Sequence, residues 1–271
     1  MIKRMKNKLF VTICVAALSL GTVVPSTFST VHASGTKTVY VDVEKNITGQ
    51  APILQPVQVS LDDTKTVLDA TETAVGASNI DAASSSYGSY VKAFKDNTAS
   101  FTYAYTSQIP AICYDTTTAY NQPIVSDSTY LREKEYNGIS GWMFTVNNTD
   151  HDSSYNYYTA DTALSSLPDG AVIRWEFSMA SGCDLGLSGY LPNGTVTGGY
   201  YNWNTSATAP FFTRTDKTAL ITILATTAEL GLGETDPGYD EYIAAQNALK
   251  NLTISQSDVN TAVTNLTNAL Q

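Results

Sequence analysis

Histidine is almost missing from this chain: it has 2 His, beside 3 Cys and 4 Met. Basic residues are scarce too. Only 15 Lys and Arg stand against 25 Asp and Glu, for a formal net charge of −10 and a pI near 4.5. A phosphate backbone needs clustered cations, so nucleic acid is excluded as a partner. The same shortage excludes docking on anionic lipid. No G-x-S-x-G elbow and no H-E-x-x-H helix motif occurs. What the chain does have is tyrosine, 17 copies against 8 Phe. Tyrosine joins a large apolar ring to a polar tip, which suits contact surfaces that meet water. With 43% hydrophobic and 15% charged residues the composition is that of a folded protein, not of a disordered acidic tail. Its 271 residues allow one large domain or two smaller ones, each with a core.

The N-terminus reads as an export signal. Lys3, Arg4, Lys6 and Lys8 form a positive start, and Leu9 to Leu20 an apolar run. Val31 and Ala33 put small residues at the −3 and −1 positions, which places cleavage after Ala33 and makes residues 1–33 a signal peptide. The apolar run is too short for a membrane span, which needs about 20 residues. A lipid anchor on Cys14 is disfavoured, because bulky Ile13 precedes it. The expected location is therefore secreted or cell-surface, with no stable membrane insertion after cleavage.

Cleavage removes four basic residues and no acidic one, which moves the net charge from −10 to −14. It also removes His32 and Cys14, leaving His151, Cys113 and Cys183. Two cysteines in an exported chain fit either one disulfide, Cys113 to Cys183, or two buried thiols. A histidine-based triad would have only His151 as base, so no catalytic residue is assigned and the chain is read as a non-enzyme. Asp150, Asp152, Ser154 and Asp161 resemble a calcium loop in spacing. Tyr155 stands where the sharp turn needs Gly, and the last ligand would be Asp instead of a bidentate Glu, so no metal site is assigned.

Periodicity divides the mature chain in two. Thr38 to Glu44 alternates as a strand, and Pro56 to Val59 is a second short strand. Asp62-Asp63-Thr64 is expected to cap a helix that carries Val67, Leu68, Ala74 and Val75 and stops at Gly76. Residues 78–140 carry little signal. Gly141 to Val146 reads as a strand entering an Asn-Asn turn. After the turn Pro168-Asp169-Gly170, Ala171 to Phe177 alternates cleanly. Ile173, Trp175 and Phe177 form the face expected to point inward, and Val172, Arg174 and Glu176 form the other. Residues 191–214, rich in Gly, Asn, Thr and Tyr, read as a linker or long exposed loop. Three helical patterns follow. Asp216 to Leu230 carries Leu220 and Leu224, a second helix starts at Asp236-Pro237, and Ser255 caps a third that carries Val259, Val263 and Leu266.

The stretch SGWMFTVNN, a Tyr-rich spacer, then LPDGAVIRWEFS and SGCDLG, resembles the bacterial exported domain similar to the C-terminal domain of transcobalamin. VQVSLDDTKTVLDAT, upstream, resembles the strand and helix of that family, so the resemblance runs over about residues 38–190. It implies an α+β fold over 36–190, a β-grasp-like sheet with one packed helix. Residues 215–271 resemble the FIVAR module of bacterial surface proteins, through Asp-Lys-x-x-Leu, then Ala-x-x-x-Leu, then Ser-Gln-x-x-Val-x-x-Ala-x-x-x-Leu. That implies a small C-terminal three-helix bundle, and the pairing with this signal looks Gram-positive.

The transcobalamin resemblance implies a small-molecule site, with cobalamin or another corrinoid as candidate ligand and no cofactor required. Trp142, Met143, Phe144, Asn147 and Tyr155 are the candidate contacts, through ring stacking and amide hydrogen bonds. Trp142 fits a core position equally well, and Trp175 is expected in the core. The competing expectation is an envelope or adhesion module that recognises a cell-wall glycan or a surface protein, with Tyr200, Tyr201 and Trp203 as stacking candidates or as local packing of the linker.

Overall fold

The computed structural model describes residues 35–86, 88–96, 104, 105, 107, 109, 125–149, 158–197 and 200–271. Residues Ser34–Gln271 form one compact α+β unit. Strand β1 (Thr36–Glu44) pairs antiparallel with β2 (Leu54–Asp62) and parallel with β7 (Val172–Ser178), and β7 pairs antiparallel with β6 (Gly141–Val146). The order across this sheet is β2-β1-β7-β6. A second sheet, β3-β4-β5, is built from Ile80–Ser85, Gly88–Lys95 and Tyr130–Arg132. Those strands arise in the stretch that carried little signal, because most of their side chains are small or polar and the buried anchors are Ile80, Val91, Ala93, Phe94 and Leu131.

Helix α1 (Val67–Val75) begins at Thr66, a few residues after the cap expected from Asp62-Asp63-Thr64. Thr66 Oγ1 accepts from the Asp69 amide at 3.1 Å, and the Asp69 carboxylate accepts from the Thr66 amide at 2.8 Å. This reciprocal capping satisfies two donors the first turn leaves unpaired. Asp62 is instead bonded to Thr64, in the turn before the helix. Gly76, at φ 84°, ends α1 as expected.

Register decides which side chains share a face of the first sheet. Val41 lies beside Ile173 and Val43 beside Trp175, while Phe144 and Trp142 face Trp175 and Phe177. These residues form the main core with Val67 and Ala70 of α1 and Phe94 of β4. The opposite face carries Tyr40 beside Val172, Asp42 beside Arg174 and Glu44 beside Glu176. It too is covered, so every residue of β7 is buried. Helix α2 (Thr218–Ala228) lies against β1 and β2, and its Leu220, Ile221 and Leu224 join Val172 in a second core. Helices α3 (Tyr239–Lys250) and α4 (Gln256–Ala269) pack on α2 and on each other through Ala245, Leu249, Val259 and Leu266. Ser255 caps α4 as expected, its hydroxyl accepting from the Asp258 amide at 3.1 Å. None of the described helices is long and apolar enough to cross a membrane.

Residues 191–214 were expected as a linker. The structure builds them into the fold instead: β8 (Pro192–Thr197) and β9 (Tyr200–Trp203) form a hairpin, and Gly189 and Thr208 exchange backbone hydrogen bonds of 3.2 and 2.6 Å. Phe211 and Phe212 then pack against the main core. Turn-forming residues dominate this stretch, but spaced aromatics give it apolar area to bury.

Candidate ligand-binding cleft

A cleft of about 680 Å³ opens beside β6, the edge strand of the first sheet. Its walls come from β4 (Ser89 to Val91), from Glu133 and Lys134, from Gly141 to Phe144, and from the Ser188–Tyr190 turn with Trp203. Among the described residues, four large apolar side chains stand well exposed, and three of them line this cleft: Tyr90 at 43%, Tyr190 at 48% and Trp203 at 47%. Exposed aromatics gathered around one concavity are the usual mark of a recognition surface, whereas scattered ones need no explanation. The Tyr90 hydroxyl donates to the Glu133 carboxylate at the mouth. Partial burial, with Glu133 beside it, raises the Tyr90 phenol well above its ordinary range.

Three of the expected contact residues form the floor rather than the rim. Trp142 is 5% exposed, meets Phe94 and Phe177 edge-on at 4.7 and 5.2 Å, and donates from Nε1 to the Leu131 carbonyl at 2.9 Å. Its indole is fixed on both sides and its polar atom is satisfied, so the balance left open by the sequence falls to the core. Phe144 leans on Trp175 with centroids 4.7 Å apart, and Trp175 Nε1 donates to Thr71 Oγ1 at 3.0 Å. Met143, partly buried, lines the cleft with them.

Asn147 does different work. It sits at φ 49°, its amide donates to the Val172 carbonyl at 3.0 Å, and its Oδ1 accepts from the Val172 amide at 2.8 Å. The side chain thus closes the turn after β6, and it does not line the cleft. A non-glycine residue in left-handed geometry is most often Asn or Asp, so the Asn-Asn pair was a turn signal first. Tyr155, Asp150, Asp152, Ser154, His151 and Cys113 lie outside the described residues. Cys183 is buried, its Sγ 3.6 Å from the Thr208 carbonyl oxygen. Asp161, the last position of the calcium-like spacing, accepts from the Ser89 amide at 2.6 Å. Trp203 is the described stacking candidate whose side chain the structure places, and it stands in the cleft.

A second polar constellation lies on the helix-covered face of the sheet. Arg174 reaches Glu44 through Nε at 2.7 Å and Nη2 at 3.0 Å, and Glu176 at 2.9 Å. Arg214 continues the chain to Glu176 at 2.5 Å and to the Leu185 carbonyl at 2.8 Å. Burial works to raise the Glu44 carboxyl, but the Arg174 guanidinium outweighs it and holds the group down to about 2. Asp42, next to Glu44, goes the other way: burial and the neighbouring carboxylate push its carboxyl well up. Sequence reasoning missed Tyr90, Glu133 and Tyr190 around the cleft, and all of this ionic face. The available signal was the pairing of types, Asp42 and Glu44 on one alternating strand with Arg174 and Glu176 on another.

No family model, curated protein or solved structure matches this chain.

Proposed function

We propose that the protein is an exported, non-enzymatic binding protein that takes a ligand with a broad apolar or planar face in the cleft beside β6. The observation that carries this reading is the convergence of Tyr90, Tyr190 and Trp203 on one cleft whose floor is Trp142, Met143 and Phe144. Its volume, about 680 Å³, lies within the range of about 300–1,000 Å³ usual for small-molecule sites. The mixed sheet with α1 on one face supports a β-grasp-like domain over 36–190, and the packing of α2, α3 and α4 supports a FIVAR-like three-helix module. A corrinoid is the first candidate ligand, its ring lying against the rim aromatics. Titration of residues 34–271 with cobalamin should quench tryptophan fluorescence and shift the visible corrin bands. No change at high micromolar ligand would reject the corrinoid.

The second reading is recognition of a cell-wall glycan or a surface protein. Its specific support is the exposed pair Tyr190 and Trp203, since sugar rings stack on such faces. Retention on purified cell-wall material, lost in Trp203→Ala, is the expected result. Equal retention of that variant would count against it.

A further inference from the structure

Lys217 is buried, at 2% exposure, where the start of α2 meets the sheet. Its Nζ donates to the main-chain oxygens of Leu249 at 2.5 Å and Asn251 at 2.7 Å. Among the described residues no carboxylate lies within salt-bridge distance of it. A buried ammonium without a counter-ion is costly, so the group gives up its proton readily. Burial first, and then the Arg174 guanidinium, bring the amine down to about 7. A neutral amine has two N–H bonds. Both are taken by the two carbonyls, which leaves the nitrogen lone pair directed elsewhere.

Asn46 follows β1, in the turn Asn46–Thr48, and is 3% exposed. Its Nδ2 donates to the same Leu249 oxygen, at 3.2 Å, and to the Glu44 carboxylate. The amine and the amide are therefore neighbours around one acceptor. Among the described residues no donor group of another side chain or of the backbone reaches Asn46 Oδ1, and the carboxyl oxygens of Asp42 have only the Glu44 carboxyl beside them. Orphaned buried acceptors cost about 1–3 kcal/mol each, so their clustering beside a buried amine calls for a chemical reason. The Asp42–Glu44 pair holds one proton between two adjacent carboxyls, because both cannot ionise cheaply in the interior.

We propose that Lys217 and Asn46 become joined in the folded protein by an amide bond between Nζ and Cγ, with release of ammonia. The Nζ lone pair attacks Cγ, and the Asp42–Glu44 pair accepts a proton from the attacking nitrogen. The pair returns a proton to Nδ2, the Cγ–Nδ2 bond breaks, and ammonia leaves. One N–H proton moves from lysine to the leaving nitrogen, the carboxyl pair ends as it began, and nothing is oxidised or reduced. The link ties the end of β1 to the first residue before α2, and so fastens the helices to the sheet. Holding both reactants and the proton carrier in one dry site turns an otherwise very slow exchange into an intramolecular step.

Intact mass spectrometry of purified residues 34–271 tests this. The expected mass is lower than the sequence mass by one ammonia, and proteolysis should yield one branched peptide that contains Asn46 and Lys217. Lys217→Arg and Asn46→Ala should each restore the unmodified mass. A wild-type chain at full sequence mass overturns the proposal, and that measurement does not depend on whether either variant folds. Loss of ammonia with Lys217 recovered in an unbranched peptide overturns it as well.

Discussion

Arg174 and Glu44 meet through two hydrogen bonds, 2.7 and 3.0 Å long, on the sheet face that α2 covers. Both side chains are nearly inaccessible, at 4% and 1% exposure. In such a place the pair is worth little against a well-packed apolar pair, but removing one partner strands the other.

Arg174→Met should therefore destabilise the protein by about 3–5 kcal/mol, since it leaves both Glu44 and Glu176 without that guanidinium. Arg174→Met combined with Glu44→Leu should lose less than the single Arg174→Met variant. Urea unfolding followed by tryptophan fluorescence measures both. A double variant less stable than the single one would refute the stranded-charge account.

Trp142→Ala should cost about 3–5 kcal/mol, through the cavity it leaves between Phe94 and Phe177 and through loss of the indole hydrogen bond to the Leu131 carbonyl. Thermal unfolding of this variant is the check. A loss below about 1 kcal/mol would place the indole outside the core.

The apolar face of the sheet was legible in the sequence. Ile173, Trp175 and Phe177 alternate, and a strand period of two puts them on one side whatever the topology. Gly141 to Val146 was bounded correctly, because Asn147 and Asn148 stop it in left-handed geometry. What periodicity could not deliver was the fate of Arg174 and Glu176. A polar alternate face ordinarily meets water, and only tertiary packing of α2 covers it. The cleft rim was illegible for a related reason. Tyr90 lies far along the chain from Tyr190 and Trp203, neither segment has a pattern of its own, and the β3-β4-β5 sheet that brings Tyr90 near is held by few large side chains. Aromatic content announced a contact surface without saying where.

Acid should first stabilise the fold and then undo it. Burial pushes the Asp184 carboxyl up to about 6 from an ordinary 3.8, although Ser178 Oγ at 2.5 Å and the Met179 amide at 2.6 Å donate to it. The folded protein then binds this proton more tightly than the unfolded chain. The stabilisation is complete below about pH 4, is lost as pH rises through 6, and amounts to about 2–3 kcal/mol. Glu44 has the opposite sign. Its carboxyl, ordinarily at 4.5, is held down to about 2, so its contribution is present above 4.5 and lost as pH falls through 2. Urea midpoints should peak near about pH 4–5 and fall on either side. Asp184→Asn should flatten the limb between pH 4 and 6 and leave the acid limb unchanged. An unchanged upper limb would refute the assignment to Asp184.

Deleting residues 215–271 should abolish cooperative folding of the remainder, not merely trim a module. The deletion uncovers Val172 and Tyr40 and opens the Arg174–Glu176 face to water, while Arg214 loses the chain that follows it. Near-ultraviolet circular dichroism of residues 34–214 reports on the packing of Trp142 and Trp175. Full native signal with a sharp thermal transition would contradict the dependence of the sheet on its helices.

The rim and floor of the cleft should separate cleanly under substitution. Trp203 and Tyr190 are about half exposed and sit at the mouth, so Trp203→Ala and Tyr190→Ala should leave stability within about 0.5 kcal/mol of the parent protein. Each removes a large ring face from a ligand laid across the mouth, and should weaken binding by about tenfold or more, as truncation of an interface aromatic commonly does. Glu133→Gln is the polar counterpart: it keeps the bond to the Tyr90 hydroxyl but removes the charge, so it should change binding of a charged ligand more than that of a neutral one. Cobalamin titration by tryptophan fluorescence, run beside differential scanning calorimetry on the same samples, reads both quantities. Binding of cobalamin that survives Trp203→Ala and Tyr190→Ala together would move the ligand away from this cleft.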